Sequence, residues 1–342
     1  MSEVKQIENR TTTGSGSVGG KPRASWVRRL VGIGPPLALV GLIVLFSLLS
    51  DRFFTLANMA GIAGQASILL VMAVGMTFVI LLGGIDLSVE GVMAVSSLTV
   101  VLLATNDRNE NHLGLLAVLA GVAVGALMGL ANGLLHTKLR IPSFMVTLGV
   151  GAIGTGIATV LFAGRAPRLL DDALRSWGIG QWFGVSRLVF IAVVVVLMGY
   201  AVQRYTRIGR YAYVIGGDEA IARLSGISIA KYKTLAFVLS GSAAGLGGAM
   251  ASMRLGVGDV QIGAGQMFAT ITAVVIGGTL LAGGRGGVLQ TLIGALIIAT
   301  LANGLILVGV EPYIQVSLQG AIIVVAVAAT GWHLRKRTRV IK

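Results

Sequence analysis

Apolar residues fall in long unbroken runs along this chain, separated by short polar stretches. The runs lie near 31–50, 57–82, 88–105, 113–135, 143–163, 188–203, 234–254, 266–281, 288–308 and 313–331. A helix needs about 20 apolar residues to cross roughly 30 Å of hydrocarbon, and most runs approach that length. The runs are continuous rather than alternating, which excludes a membrane β-barrel. The pattern predicts an all-α polytopic membrane protein with about ten transmembrane helices. Residues 1–29 read as a disordered basic tail, 30–332 as the membrane domain and 333–342 as a second basic tail. No charged leader runs into a short core with a small-residue cleavage site, so the first span is expected to stay in the protein.

Composition sharpens this picture. The chain is 55% hydrophobic and only 12% charged, where soluble domains carry roughly 25%. Its formal charge of +14 would suggest nucleic acid in a soluble protein. Here the basic residues are scattered over loop ends, and no nucleic-acid partner is expected. With the N-terminus placed in the cytoplasm, 20 of the 27 Lys and Arg fall on inside segments. Only Arg52, Arg108, Arg165, Arg168, Arg175, Arg187 and Arg254 fall outside. The acids Asp51, Asp107, Glu110, Asp171, Asp172, Asp259 and Glu311 lie outside too. Positive-inside bias therefore predicts both termini in the cytoplasm. Trp26, Trp177, Trp182 and Trp332 stand at expected span ends, the aromatic-belt position.

The chain also repeats itself. LANGLLHTKLRIPSFMVTLG starts at Leu130 and LANGLILVGVEPYIQVSLQG at Leu301. Pro142 and Pro312 are 170 apart, Asn132 and Asn303 are 171 apart, and Asp86 and Asp259 are 173 apart. Spans two to five thus read as a copy of spans seven to ten. An offset of five spans is odd, so the copies must be inverted, a common transporter build.

Candidate chemistry is sparse. No cysteine is present, so disulfides and thiolate metal sites are excluded. The phosphate-cradling pattern G-x-x-x-x-G-K-[ST] does not occur, and GGRGG at 283–287 reads as a turn. His112, His136 and His333 lie at three separate boundaries and form no ligand set. The reading is a non-enzyme with no catalytic residues, metal or cofactor of its own. Asp86 and Glu90 are expected at the edge of the third span. No Asp, Glu, Lys or Arg falls at mid-span, which argues against an ion-coupled carrier but leaves sodium coupling through carbonyls and hydroxyls open.

One polar stretch stands out. GGDEAIARLSGIS, 216–228, lies in the longest inside connection, about 204–233. Asp218 and Glu219 suit a helix start. Ala220, Ile221 and Leu224 share one face at helical spacing, and Gly226 suits a stop. A two-turn helix is unstable alone in water, so something must pack on it. Its apolar face lies either on the protein's own spans, on lipid, or in another protein.

Four stretches resemble the sugar-type permease subunits of bacterial ABC importers, the ribose, xylose, arabinose and galactose group. They are GMTFVILLGGIDLSVEGVMAVSS (75–97), IPSFMVTLGVGAIGTGIA (141–158), TRIGRYAYVIGGDEAIARLSGISIAKYK (206–233) and AVVIGGTLLAGGRGGVLQTLIGALII (273–298). The resemblance implies a pore built with a second permease subunit, identical or homologous. It implies an ATPase subunit, carrying the ATP and magnesium, docked on Gly217, Asp218, Glu219, Ala220, Arg223, Leu224 and Gly226. It implies a sugar-binding protein on the outer face and a place in the bacterial inner membrane. Neutral hydroxyl and amide groups suit sugar transit. The pathway candidates are Asp86, Ser88, Asn132, Thr147, Asn303 and Ser317. Each could instead be an interhelical packing contact, and Asp86 could cap the third span. Other small solutes, such as a branched amino acid, a polyol or a furanone signal, fit the same architecture.

Overall fold

The computed structural model describes residues 25–311 and positions 314, 317, 320 and 321, with side chains from Ile33 onward. The chain divides into two units, Met1–Gly34 and Pro35–Lys342. Of the first, only a helical start from Ser25 is described. Of the tail expected at 1–29, residues 1–24 lie outside the described residues, as does the tail at 333–342, whereas 25–29 belong to the helix that starts at Ser25.

Nine of the ten apolar runs fall on helices. These are α1 (Ser25–Leu49), α2 (Leu56–Leu81), α3 (Val89–Leu103), α4 (Leu115–Lys138), α5 (Ser143–Phe162), α7 (Arg187–Tyr205), α10 (Ile229–Leu255), α11 (Gln266–Ile276) and α12 (Val288–Leu307). Between α5 and α7 come a short α6 (Asp172–Ile179) and a hairpin of β1 (Gln181–Trp182) and β2 (Val185–Ser186). The hairpin turns on Phe183 and Gly184, both left-handed, as a two-residue loop of this kind requires. Of the tenth run, only the helical positions 314, 317, 320 and 321 are described.

Among the described residues six helices are long and apolar enough to cross a membrane: α2, α4, α5, α7, α10 and α12. Ile33–Leu49, α3 and α11 are shorter apolar helices. The run at 266–281 is corrected. Its helix stops at Ile276, because Gly278, Gly283 and Gly284 turn the chain through left-handed geometry that no helix accommodates. Both α3 and α11 follow non-helical chain, at 82–88 and 256–265.

Two helices form the centre. Helix α2 is buried along most of its length and packs on α7, α10, α11 and α12. Helix α10 packs on α2, α3, α4 and α6. Helix α3 also packs on α4, and α11 on α12. Exchanging α2 with α10, α3 with α11 and α4 with α12 maps the α2–α11, α2–α12 and α11–α12 pairings onto α10–α3, α10–α4 and α3–α4. The α4–α10 contact is the most intimate. Gly125 and Gly241 each sit where a Cβ would strike the other's carbonyl oxygen. Small residues four apart let the two backbones approach, the usual route to dispersion contact between apolar helices.

Loops sort by end. Arg165 pairs with Asp107 at 3.2 Å, Asn106 bridges Leu169, Arg168 bridges Val257, and Trp177 meets Trp182 edge-on. Elsewhere Tyr213 bonds Gly286, and Glu219 bonds Lys233. The backbone N–H of Arg168 donates to the Asp107 carboxylate and, with the nearby Arg165 charge, holds its pKa below the usual range.

Candidate coupling surface and buried polar cluster

The segment between α7 and α10 holds two helices where the sequence suggests one. Helix α8 (Arg207–Gly217) ends at Gly217, and α9 (Glu219–Leu224) begins at Glu219. Gly217 is therefore the last residue of α8 and not part of the short helix. The missed signal was Thr206, whose side-chain oxygen accepts Ile208 N–H and starts α8.

Helix α9 has six residues and is defined by its caps. The Asp218 carboxylate accepts the N–H groups of Ala220 at 2.9 Å and Ile221 at 3.0 Å. At the other end Gly226 is left-handed, φ +74°. Gly226 N–H donates to Arg223 O and Ile227 N–H to Ala222 O. That pair of bonds is a Schellman closure, and glycine alone enters it without a Cβ penalty.

Which face of α9 is buried decides against one of the three alternatives. Ala222 is the fully buried residue. Ala220 is exposed, Ile221 is 59% exposed and Leu224 is 90% exposed. The apolar trio therefore does not lie on the protein's own spans. Glu219 turns back instead. Its carboxylate accepts Lys233 Nζ at 2.7 Å and Arg223 Nη2 at 3.3 Å. The Lys233 hydrogen bond is the main reason its pKa sits below the ordinary glutamate value, with both cations adding to it.

Helix α8 anchors the segment to the bundle. Gln203 Nε2 donates to Tyr213 Oη at 2.6 Å, Tyr213 Oη donates to Gly286 O at 2.6 Å, and Gln203 Oε1 accepts Val288 N–H at 2.7 Å. Burial pushes the Tyr213 phenol above its ordinary pKa, partly offset by Gln203. Helices α8 and α9 are thus tied to the 283–288 turn and, through Lys233, to the start of α10.

Four pathway candidates converge elsewhere. Asp86 Oδ1 accepts Ser88 N–H at 3.0 Å and Ser88 Oγ–H at 2.6 Å. Asn132 Nδ2 on α4 donates to Ser88 Oγ at 2.8 Å. Thr147 on α5 accepts Leu87 N–H at 3.0 Å. Ser240 on α10 donates to Asp86 Oδ2 at 2.7 Å. Asp86, Ser88, Asn132 and Thr147 are at most 1% exposed. Asp86 stands just before α3 and is enclosed where α4, α5 and α10 meet the 82–88 segment. Its bond to Ser88 N–H gives it the cap-like role, whereas the N-cap residue Ser88 makes no side-chain cap bond. Asn132 Oδ1 is buried without a partner among the described residues.

Asn303 belongs to a different contact. It is buried on α12 and accepts Asn58 Nδ2 at 3.0 Å. Ser317 is exposed. Sequence reasoning missed Ser240, one hydroxyl in a Ser/Gly/Ala-rich helix with no pattern to mark it. It also missed the reach of Glu90, whose carboxylate accepts Gly265 N–H at 3.0 Å and Met267 N–H at 3.4 Å. An acid from the first turn of α3 thereby caps α11. Among the described residues no group of three His, Asp or Glu could hold a metal.

A bundle of apolar helices, a doubly capped exposed helix and a buried polar knot without catalytic groupings suit a carrier. The family described as branched-chain amino acid transport system / permease component matches residues 58–327. The ribose import permease protein of Escherichia coli strain K12 is 40% identical over 296 residues, covering 85% of this chain and 91% of that protein. The chain belongs to the sugar-type ABC importer permease family. The fructose import permease protein of Rhizobium meliloti is 35% identical over 311 residues, covering 87% and 84%. The D-allose transport system permease protein of Escherichia coli strain K12 is 32% identical over 288 residues, covering 84% and 87%. No solved structure matches the chain. As a member of this family it is a multi-pass membrane protein and a permease subunit, which is not itself an enzyme. The 40% relative matches along nearly its whole length, so α8, α9 and the 82–88 segment all lie inside the shared region.

Proposed function

We propose that this chain translocates a monosaccharide across the bacterial inner membrane as one subunit of an ABC importer. A second permease subunit completes the pore, a cytoplasmic ATPase subunit holding ATP and magnesium drives it, and a solute-binding protein delivers the sugar. The observation that carries this reading is the 40% identity to a ribose import permease over 91% of that protein. Fructose and D-allose relatives extend it to sugars as a class.

The ATPase docks on α9, in this reading, through Ile221 and Leu224, with Asp218 and Gly226 fixing the helix and Glu219 and Arg223 tying it down. Supporting this is their exposure at a place where the chain's own spans do not cover them. Both termini are cytoplasmic, and ten spans form two inverted copies, spans two to five and seven to ten. The charge bias and the exchange of packing partners between α2 and α10 support that arrangement. Asp86, Ser88, Asn132 and Thr147 hold the helices around the pathway rather than touch sugar, since all of them bond within the protein, Asn132 through its Nδ2. A second reading, a different small solute, draws on the family's description as a branched-chain amino acid permease component.

Radiolabelled uptake by reconstituted permease tests both. Pentoses, hexoses, polyols and branched amino acids are compared with and without ATPase and binding protein. Sugar uptake that requires both partners and ATP is the expected result. Uptake of a branched amino acid selects the second reading. Uptake by the chain alone, driven by an ion gradient, overturns both.

A further inference from the structure

Beside α9 lies a cavity of about 440 Å³, between that helix, the start of α10 and the turn joining α4 to α5. Its charged lining is Arg140, Arg223, Lys233 and Glu219, with His136 adding an imidazole. Three permanent cations face one carboxylate. That carboxylate is already committed, accepting Lys233 and Arg223. Arg140 makes no side-chain hydrogen bond or ion pair among the described residues, and it is exposed. Its backbone is left-handed, φ +55°, a conformation that L-residues other than glycine seldom adopt. His136 Nδ1 lies 2.7 Å from Ile141 O. A carbonyl only accepts, so Nδ1 carries a proton and the ring braces the turn that presents Arg140.

We infer that this cavity receives an acidic side chain of the docked ATPase subunit, with Arg140 as its principal partner. The inference rests on the docking reading of α9 and adds the partner's chemistry to it. Ile221 and Leu224 need a cover, and Glu219 and Arg223, on the same short helix, line the cavity. A protein that buries the two apolar side chains therefore overlies the cavity. Its complement to an excess of positive charge is a carboxylate. Guanidinium offers a carboxylate two parallel hydrogen bonds, which sets register as well as attraction. A free small anion would satisfy the charge but leave Ile221 and Leu224 bare. The docking surface on the ATPase is thus an apolar groove flanked by an acid.

The test measures binding of the cognate ATPase subunit to purified permease in nanodiscs, across a salt series, for wild type, Arg140→Lys, Arg140→Glu and Leu224→Asp. Arg140→Glu is expected to weaken binding roughly tenfold or more and to flatten its salt dependence. Arg140→Lys keeps the charge but loses the paired hydrogen bonds and is expected to bind between wild type and Arg140→Glu, and replacing the facing acid of the ATPase by lysine restores binding to Arg140→Glu. Size-exclusion elution and thermal melting of each variant report folding, and Arg140→Gln provides a second variant. Unchanged binding by both Arg140→Glu and Arg140→Gln, with Leu224→Asp defective, overturns this inference and leaves α9 docking standing. Unchanged binding by Leu224→Asp sinks the docking reading itself. Affinity that follows the phosphatidylglycerol content of the nanodisc, through Arg140, assigns the cavity to lipid and overturns the proposal.

Discussion

Ser240 donates to Asp86 at 2.7 Å, joining two residues 154 positions apart. The contact ties α10 to the non-helical segment that enters α3. It is one of three donors on a carboxyl group that is 1% exposed. Burying such a group without partners is costly, so each donor matters.

Ser240→Ala removes one donor and leaves Asp86 Oδ2 unpaired. The expected loss is about 1–2 kcal/mol, bracketed by buried hydrogen bonds in water-soluble and membrane proteins. Thermal unfolding in detergent measures it. Ser240→Thr keeps the hydroxyl and is expected to lose less. An equal loss for Thr and Ala would assign the effect to packing.

Asp218→Ala strips two N–H groups of their acceptor. Loss of such a cap costs about 1 kcal/mol, enough to fray a helix of six residues. Hydrogen exchange at Ala220 and Ile221 amides should quicken, while the α10 core stays protected. Asp218→Asn retains an acceptor and most of the protection.

The Glu219–Lys233 pair carries a definite pH dependence. Its folded pKa lies below the unfolded value, held down first by the Lys233 hydrogen bond. The pair's contribution is therefore fully present above the ordinary glutamate range. It is lost as pH falls through that range to the depressed folded value. Glu219 is 42% exposed, so solvent screening keeps the pair to about 0.2–1 kcal/mol. Melting of wild type and Glu219→Gln, compared from neutral to acid pH, should show a gap that closes below the glutamate range. A gap that widens toward acid contradicts the assignment.

Gly241→Ala places a methyl against Gly125 O and forces α4 from α10. Overpacking of this kind costs about 1–3 kcal/mol. Gly149→Ala is the control, since a Cβ there meets nothing within 4 Å. Thermal melts should fall for the first and hold for the second.

Apolar runs carried much of the helical architecture, because water and hydrocarbon act on every residue of a span at once. Nine runs became helices for that reason, and α9's ends were legible because Asp218 and Gly226 cap through their own backbone neighbours. The α8 start at Thr206 was equally local but lay hidden in a basic stretch. Tertiary structure alone decided the rest. Ile221 and Leu224 could have lain on the bundle or away from it, and only the packing of Ala222 turned them outward. Asp86 looked peripheral in the sequence, yet Ser240 and Ser88 enclose it. Asn132 and Asn303 sit in the same motif but bond Ser88 and Asn58 respectively. Hydrogen bonds of this kind join residues tens to hundreds of positions apart, and their energy depends on which faces the close glycine contacts bring together. Hydropathy, summed along one helix, does not contain that information.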